Sequence, residues 1–311
     1  MARPPTAAIT LPVDPDTSIR VAAFQRIRQL EARFGDAIPW SAIQTGFQFE
    51  GENVLLANLP KGIFRPRQMS RGALSVKTTV PPAGRERRYD DIASDDGFFE
   101  YRFMGNDPSH GDNRRLLEAF EDRSPVIYFH GVAPGTYKAI WPVFVTAWDA
   151  ATLSVKIIPG QAEGGEMILP ESQDTRRYAV FEAKRRLHQA VFRELVLDAY
   201  TGHCAISGLP ERRLLHAAHI LPDRDERGLP VVSNGIAMSV IHHTAYDLNL
   251  LGIDADGGIH VNRDLLEIHD GPLTKALQDT DGKQIAPPPA SAHRPNRDFL
   301  AFRFEQFMKA A

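Results

Sequence analysis

LLHAAHILP (residues 214–222) and NGIAMSVIHHTAYD (residues 234–247) carry the reading of this chain. In the first stretch His219 sits in an apolar run, the pattern of a half-buried strand with an imidazole at its edge. In the second, Asn234 opens another apolar run, and His243 and Asp247 follow at a spacing of four. On a helix that spacing projects both side chains from one face, so together they can hold one divalent cation. An unperturbed imidazole titrates near pH 6.5, which suits His219 to accept a proton at neutral pH. The order predicts a hairpin over 214–238 and a helix from about residue 242.

The surrounding chain reads as globular. It has 311 residues, 43% apolar and 24% charged, enough for two domains that each bury a core. The net charge of −3 gives no global attraction to nucleic acid, so any phosphate-binding charge must be local. The single cysteine, Cys204, excludes an intrachain disulfide and a CxxC zinc ribbon. It reads as a small packed residue rather than a nucleophile. The first fifteen residues lack a signal-peptide apolar run, and no stretch approaches a membrane span, so a cytoplasmic protein is expected.

Organisation follows from periodicity. Val21, Phe24, Ile27, Leu30 and Phe34 predict a helix over Thr17–Phe34, starting after a capping signal at Asp16 and Thr17. The runs GFQFEGENVLLAN, ALSVKTTV, FFEYRFM, PVIYFHGV and KAIWPVFVTAW read as short strands, interrupted by a helix near 113–120. PGQAEGGEMILPESQ (159–173) reads as a linker. A long helix over 175–200, with Phe181, Leu187, Val191, Leu195 and Ala199 near one face, opens the second domain. ADGGIHVNRDLL suggests a further hairpin and RDFLAFRFEQFMKAA a terminal helix. The fold class is α+β, with domains at 1–160 and 175–311 and a linker at 161–174.

The ordered set His219, Asn234, His243 and Asp247 resembles the HNH endonuclease motif, a ββα-metal hairpin and helix that cuts nucleic-acid phosphodiesters. YTGHCAISG upstream and LNLLGID downstream extend the likeness over about 100 residues. The resemblance implies His219 as general base and His243 and Asp247 as helix-borne metal ligands. It gives Asn234 the task of holding the hairpin loop and so orienting the base. The cofactor implied is one divalent metal per site, Mg²⁺ or Mn²⁺, placed across the scissile phosphate. Many members carry Asp or His just before the base, where this chain has Ala218. His216 is the first candidate to supply that ligand, because 216 and 218 share a strand face. His242 is the rival.

A second resemblance concerns the N-terminal half. RYDDIASDDGFFEYRFMG (88–105) is similar to the central segment of SRA domains, PUA-like β-barrels that flip a modified cytosine out of DNA. Tyr89 and Tyr101 have the family's twelve-residue spacing, with Gly97, Phe98 and Phe99 between. KGIF with Gly62, YFHGV and GTYKAIWPVFV fit the family's order. The likeness implies a pocket in which two aromatic planes stack the base and a carboxylate accepts the cytosine amino hydrogen. The family's carboxylate commonly stands where this chain has Ile92, and Asp91 is one residue earlier. Beside it, residues 61–88 hold eight Lys or Arg against one acid, while 89–122 hold ten acids and three bases. Arg65, Arg67 and Arg71 are the candidate phosphate contacts.

Together the resemblances imply a modification-dependent restriction endonuclease acting on double-stranded DNA that contains 5-methylcytosine or 5-hydroxymethylcytosine. One HNH site cuts one strand, so a homodimer is expected. The alternatives are an HNH endonuclease whose PUA-like domain reads unmodified sequence or shape, and a non-catalytic modified-DNA-binding protein.

Overall fold

The structure, a computed structural model, describes residues 16–80, 98–163, 166–170, 172–223, 225–269 and 271–310. The chain divides into two compact units, Met1–Leu187 and His188–Ala311.

The first unit opens with α1 (Thr17–Phe34), which ends where the Gly35 amide donates back to Glu31 with φ at +67°. Ile19, Ala23, Phe24, Ile27 and Leu30 form its buried stripe. Asp16 occupies the N-cap but makes no cap bond. Its carboxylate accepts instead from the amides of Ser70 and Arg71. Fully buried Arg20 donates to the carbonyls of Ala73 and Pro125. These two charged side chains tie the helix to a loop some fifty residues away.

Next come β1 (Ile38–Pro39), α2 (Trp40–Ile43), β2 (Phe47–Phe49), β3 (Glu52–Val54), β4 (Ile63–Phe64), β5 (Ser75–Thr78) and β6 (Phe99–Arg102). They are followed by α3 (Gly111–Glu121), β7 (Val126–Ala133), β8 (Thr136–Asp149) and β9 (Ser154–Pro159). The main sheet runs β4-β5-β7-β8-β9-β6, with β1 also paired to β8. Only β5 and β7 pair in parallel. Register shifts interrupt β7–β8 and β8–β9, the irregularity by which long strands bend. The expected barrel is not closed by strand pairing among the described residues, since β4 and β6 stand at opposite ends of the path. A side chain brings these ends near each other: the Tyr101 hydroxyl donates to the Lys77 carbonyl at 3.4 Å. Gly62 leaves room for it, because a Cβ there would lie 2.7 Å from that hydroxyl.

The stretch read as a linker forms a hairpin, β10 (Gln161–Glu163) with β11 (Glu166–Ile168). It is too short for a period-two signal to stand out. Helix α4 (Gln173–Ala199) follows, and the boundary between the units falls within it. Leu187 and Val191 are buried as the periodicity requires, but Phe181 is 62% exposed.

The second unit continues with β12 (Leu215–His219), β13 (Gly235–Ser239), α5 (Val240–Asp247), β14 (Leu251–Ile253) and β15 (Ile259–Val261). Helices α6 (Arg263–Leu266), α7 (Pro272–Gln278) and α8 (Arg297–Ala310) complete it. Its core gathers Phe192, Val196 and Leu197 of α4, Ala218 and Ile236 of the hairpin, Tyr246 of α5 and Leu300 of α8. The first hairpin and the terminal helix lie where expected, whereas the second hairpin starts upstream of the stretch 255–266, whose end is the helix α6. Among the described residues no helix is long and apolar enough to cross a membrane.

Candidate active site

Strands β12 and β13 pair antiparallel, His216 opposite Met238 and His219 opposite Gly235. Strict alternation would put His216 and His219 on opposite faces. Instead Leu215 and Ala218, three apart, are both fully buried, and both histidines lie near α5. The His219 ring stacks on Phe192 of α4, centroids 4.0 Å apart and 20° from parallel. Gly235 makes this possible. A Cβ there would stand 2.4 Å from Val196 Cγ2 and 2.8 Å from Phe192 Cζ.

His219 Nε2 is buried without a hydrogen-bond partner. Asp223 Oδ1 lies 3.1 Å from it, but in an orientation that makes an ionic contact and no hydrogen bond. Burial pushes the His219 pKa below the ordinary imidazole value, against the pull of Asp223 and Asp247. Burial thus favours the neutral form of the imidazole, and Nε2 is left without a hydrogen bond. Asp223 is a neighbour that the motif did not mark.

Asn234 is fully buried and clamps the loop after β12. Its Nδ2 donates to the carbonyls of Leu221 (3.0 Å) and Leu229 (3.1 Å), and its Oδ1 accepts from the Leu221 amide (2.9 Å). An amide is needed because the site presents two acceptors and one donor.

Helix α5 starts on Ser239, whose Oγ accepts from the His242 amide. His242, Ala245 and Tyr246 are buried, while His243 and Asp247 share the outer face, His243 Nε2 3.3 Å from Asp247 Oδ2. His216 Nδ1 lies 3.1 Å from His243 Nδ1. His242 faces the core, its Nδ1 2.7 Å from Ser239 Oγ and 3.8 Å from Cys204 Sγ. Geometry thus brings His216, and not His242, to the His243 ring, while Asp247 meets that ring at its other nitrogen. Burial lowers the pKa of both His216 and His243. Cys204 is 1% exposed, and its sulfur accepts from the amides of Ser207 and Ser239. Burial pushes its thiol up, but the bonds from His242, Ser207 and Ser239 outweigh that and bring it to about 6.

The fit to a metal is one of kind. Two imidazoles and a carboxylate suit a divalent ion. Two bare imidazole nitrogens facing at 3.1 Å repel unless a proton or cation lies between them, and adjacent ligands with bonds of about 2.1 Å span a similar distance. Asp247, however, meets the other nitrogen of His243. No three such side chains converge as a metal site among the described residues.

In the first unit, Tyr101 on β6 is 6% exposed, edge-on to Tyr128 at 6.1 Å, and burial raises its pKa. Tyr89 and Asp91 lie outside the described residues, as do Arg85, Arg87 and Arg88. The candidate phosphate contacts are all in ion pairs: Arg65 with Glu118, Arg67 with Glu52, Arg71 with Glu121 and Asp122. Lys61 pairs with Asp112, and Lys77 is 6% exposed. The acids of α3 thus offset much of the basic run that precedes it. The Arg67–Glu52 pair is solvent-exposed, with Arg67 81% exposed, so water screens it strongly.

A strand pair feeds a helix here, with an imidazole on the strand and a His/Asp pair on the helix. Residues 204–254 match the family model of the HNH endonucleases. Over that segment the chain is similar to ββα nucleases of this family. A solved structure titled "Modification dependent TagI restriction endonuclease" aligns over 76% of this chain and 82% of its own at 15% identity, with a TM-score of 0.30. At that score the likeness adds nothing to the reading of this chain. No curated protein matches.

Proposed function

We propose that this protein is a metal-dependent DNA endonuclease whose N-terminal unit directs it to DNA carrying 5-methylcytosine or 5-hydroxymethylcytosine. The observation that carries the nuclease reading is the match of residues 204–254 to the HNH family model, in which His243 of the helix touches His216 of the hairpin through Nδ1 and Asp247 through Nε2. His219 Nε2 takes the proton of the attacking water. Its lowered pKa keeps it unprotonated in neutral solution, and the Phe192 stack fixes its plane. Asp223 must yield its place beside Nε2 to that water. Asn234 holds the loop so that β12 ends in one conformation. His216, His243 and Asp247 would hold Mg²⁺ or Mn²⁺. Bound there, such an ion supplies charge to the developing phosphorane and the leaving 3′ oxygen.

Modified-base recognition rests on the resemblance of 88–105 to SRA domains. In it Tyr89 and Tyr101 stack the flipped base, Asp91 accepts the amino hydrogen, and Arg65, Arg67 and Arg71 exchange their carboxylate partners for phosphates. Two copies supply the two cuts of a double-strand break. One observation favours a second reading, in which the N-terminal unit reads unmodified sequence or shape: Tyr101 is packed against Tyr128 and the Lys77 carbonyl rather than lining an open pocket. Incubation of methylated and unmethylated plasmid with Mg²⁺, Mn²⁺ or EDTA tests both. Cleavage of methylated plasmid alone, abolished by EDTA, is the expected result. Equal cleavage of both plasmids selects the second reading, and no cleavage of either rejects the nuclease.

A further inference from the structure

The matched segment ends at residue 254, yet a helix more than forty residues further on reaches both ends of the motif. The Asn296 amide, just before α8, donates to the carbonyl of Ser233, the neighbour of Asn234. Arg227, in the loop that Asn234 clamps, lies over the ring of Phe302 at 4.6 Å. At the other end Arg303, 8% exposed, enters the C-terminal turn of α5. Its Nη2 donates to the Tyr246 carbonyl at 2.5 Å and its Nη1 to Asn249 Oδ1 at 2.6 Å. Its guanidinium sits 4.6 Å over the Tyr246 ring.

Helix α5 has eight residues, too few to hold its shape without tertiary contacts. Its last carbonyls accept from the amides of Leu248, Asn249 and Leu250, and a cation there is further favoured by the helix dipole. Tyr246 immediately precedes Asp247, whose side chain is 60% exposed and, among the described residues, forms its ion pair with His243. Asn249, one turn on, is in the left-handed region at φ +55°, which asparagine tolerates at helix ends, and Arg303 holds its side chain there. Arg303 does so from a rigid base. Phe307, one turn along α8, packs so closely on β14 that a Cβ at Gly252 would meet its ring at 2.5 Å.

We propose that Arg303 is a positioning residue, fixing the last turn of α5 and thereby Asp247 where the divalent cation is held. The proposal rests on the nuclease reading and deepens it, because it places part of the site's precision in a helix outside the motif. A planar fork that bonds two acceptors and lies on a ring is a task for arginine. Lysine keeps the charge and the stem but not the geometry.

The test is a Mn²⁺ titration of DNA cleavage by the full chain, paired with calorimetric Mn²⁺ binding and a urea melt, for wild type, Arg303→Met, Arg303→Lys and Asp247→Ala. Outer-shell partners of metal ligands are worth roughly 10–100-fold in metal affinity. Arg303→Met should raise the half-activating Mn²⁺ concentration by about that factor, with cleavage recovering at saturating Mn²⁺. Arg303→Lys should shift it in the same direction by less. In an Asp247→Ala background Arg303→Met should add no further shift, since the two act on one ligand. Variants that melt earlier but keep the wild-type Mn²⁺ dependence overturn the proposal, and so does a full additive shift in the double variant. Should Arg303→Met not fold, Arg303→Lys is judged by the same two criteria. Failure of wild type to bind Mn²⁺ or cut DNA is a different outcome and rejects the nuclease reading itself.

Discussion

Replacing Asn234 by Asp keeps its shape and removes both of its donors. One carboxylate oxygen can still accept from the Leu221 amide, now at 2.9 Å. The other would face the carbonyl oxygens of Leu221 and Leu229, now 3.0 and 3.1 Å from Nδ2, in a site with no solvent. Ionised, that oxygen is repelled by both. Protonated, it restores one of the two bonds and leaves one carbonyl unsatisfied, at a cost of about 1–3 kcal/mol. The folded-state pKa of the new carboxyl must therefore rise above its unfolded value of about 3.9. The sign follows: a folded pKa raised above the unfolded one favours the folded state at low pH. The loss then grows as pH climbs from about 3.9 to the raised value, by roughly 1.4 kcal/mol per unit of separation. The deficit relative to wild type should be about 1–3 kcal/mol near pH 4 and larger by about 1.4–4 kcal/mol at pH 7.5. Urea melts of both proteins at the two pH values measure it. A deficit below about 1 kcal/mol at pH 7.5, or one equal at both, would refute the claim that this amide clamps the loop.

Other outcomes follow from the same geometry. His219→Ala should lose roughly 10²–10⁴-fold in cleavage while binding DNA as wild type does; near-normal rates in a single-turnover assay would remove it from the base role. Because burial holds His219 below the usual imidazole value of 6.5, wild-type cleavage should persist below pH 6.5. It should fall only as pH drops through the depressed pKa, and a pH–rate profile with its acid limb at or above 6.5 contradicts this. His216→Ala should weaken Mn²⁺ activation as His243→Ala does, whereas His242→Ala should act on stability, since its ring faces Ser239 and Cys204; the reverse pattern in Mn²⁺ titrations exchanges their roles. Gly235→Ala forces apart contacts of 2.4 and 2.8 Å with Val196 and Phe192. It should cost about 1–3 kcal/mol in a denaturant melt and slow cleavage by displacing the ring beneath His219; a silent variant would mean that the stack does not position the base.

Much of the architecture was legible along the chain. Helix α1, α5 and the terminal helix each carry a repeat of about 3.6 residues, which is a local property. The placement of His243 and Asp247 on one face follows from the same arithmetic, as does the choice of an amide at 234 once the loop is known to need one. What that local signal could not contain is the identity of partners fifty residues away. Asp16 looked like a cap and binds the loop at Ser70 and Arg71. Arg65, Arg67 and Arg71 looked like a basic track and are paired to acids, two of them (Glu118 and Glu121) on α3. Phe181 fits the helical stripe of α4 and is exposed.

The active site divides in the same way. Which residue types meet there was set by the order His219, Asn234, His243, Asp247 in the chain. How they meet was decided by packing. A glycine opposite His219 admits Phe192 beneath its ring, His216 of β12 reaches His243 of α5, and Arg303 bonds the last turn of the helix that bears Asp247. Periodicity reports the few neighbours that the backbone itself imposes. The remaining contacts join α4, the hairpin and α8 across long loops, and they exist only once burial of a shared core has brought those elements together.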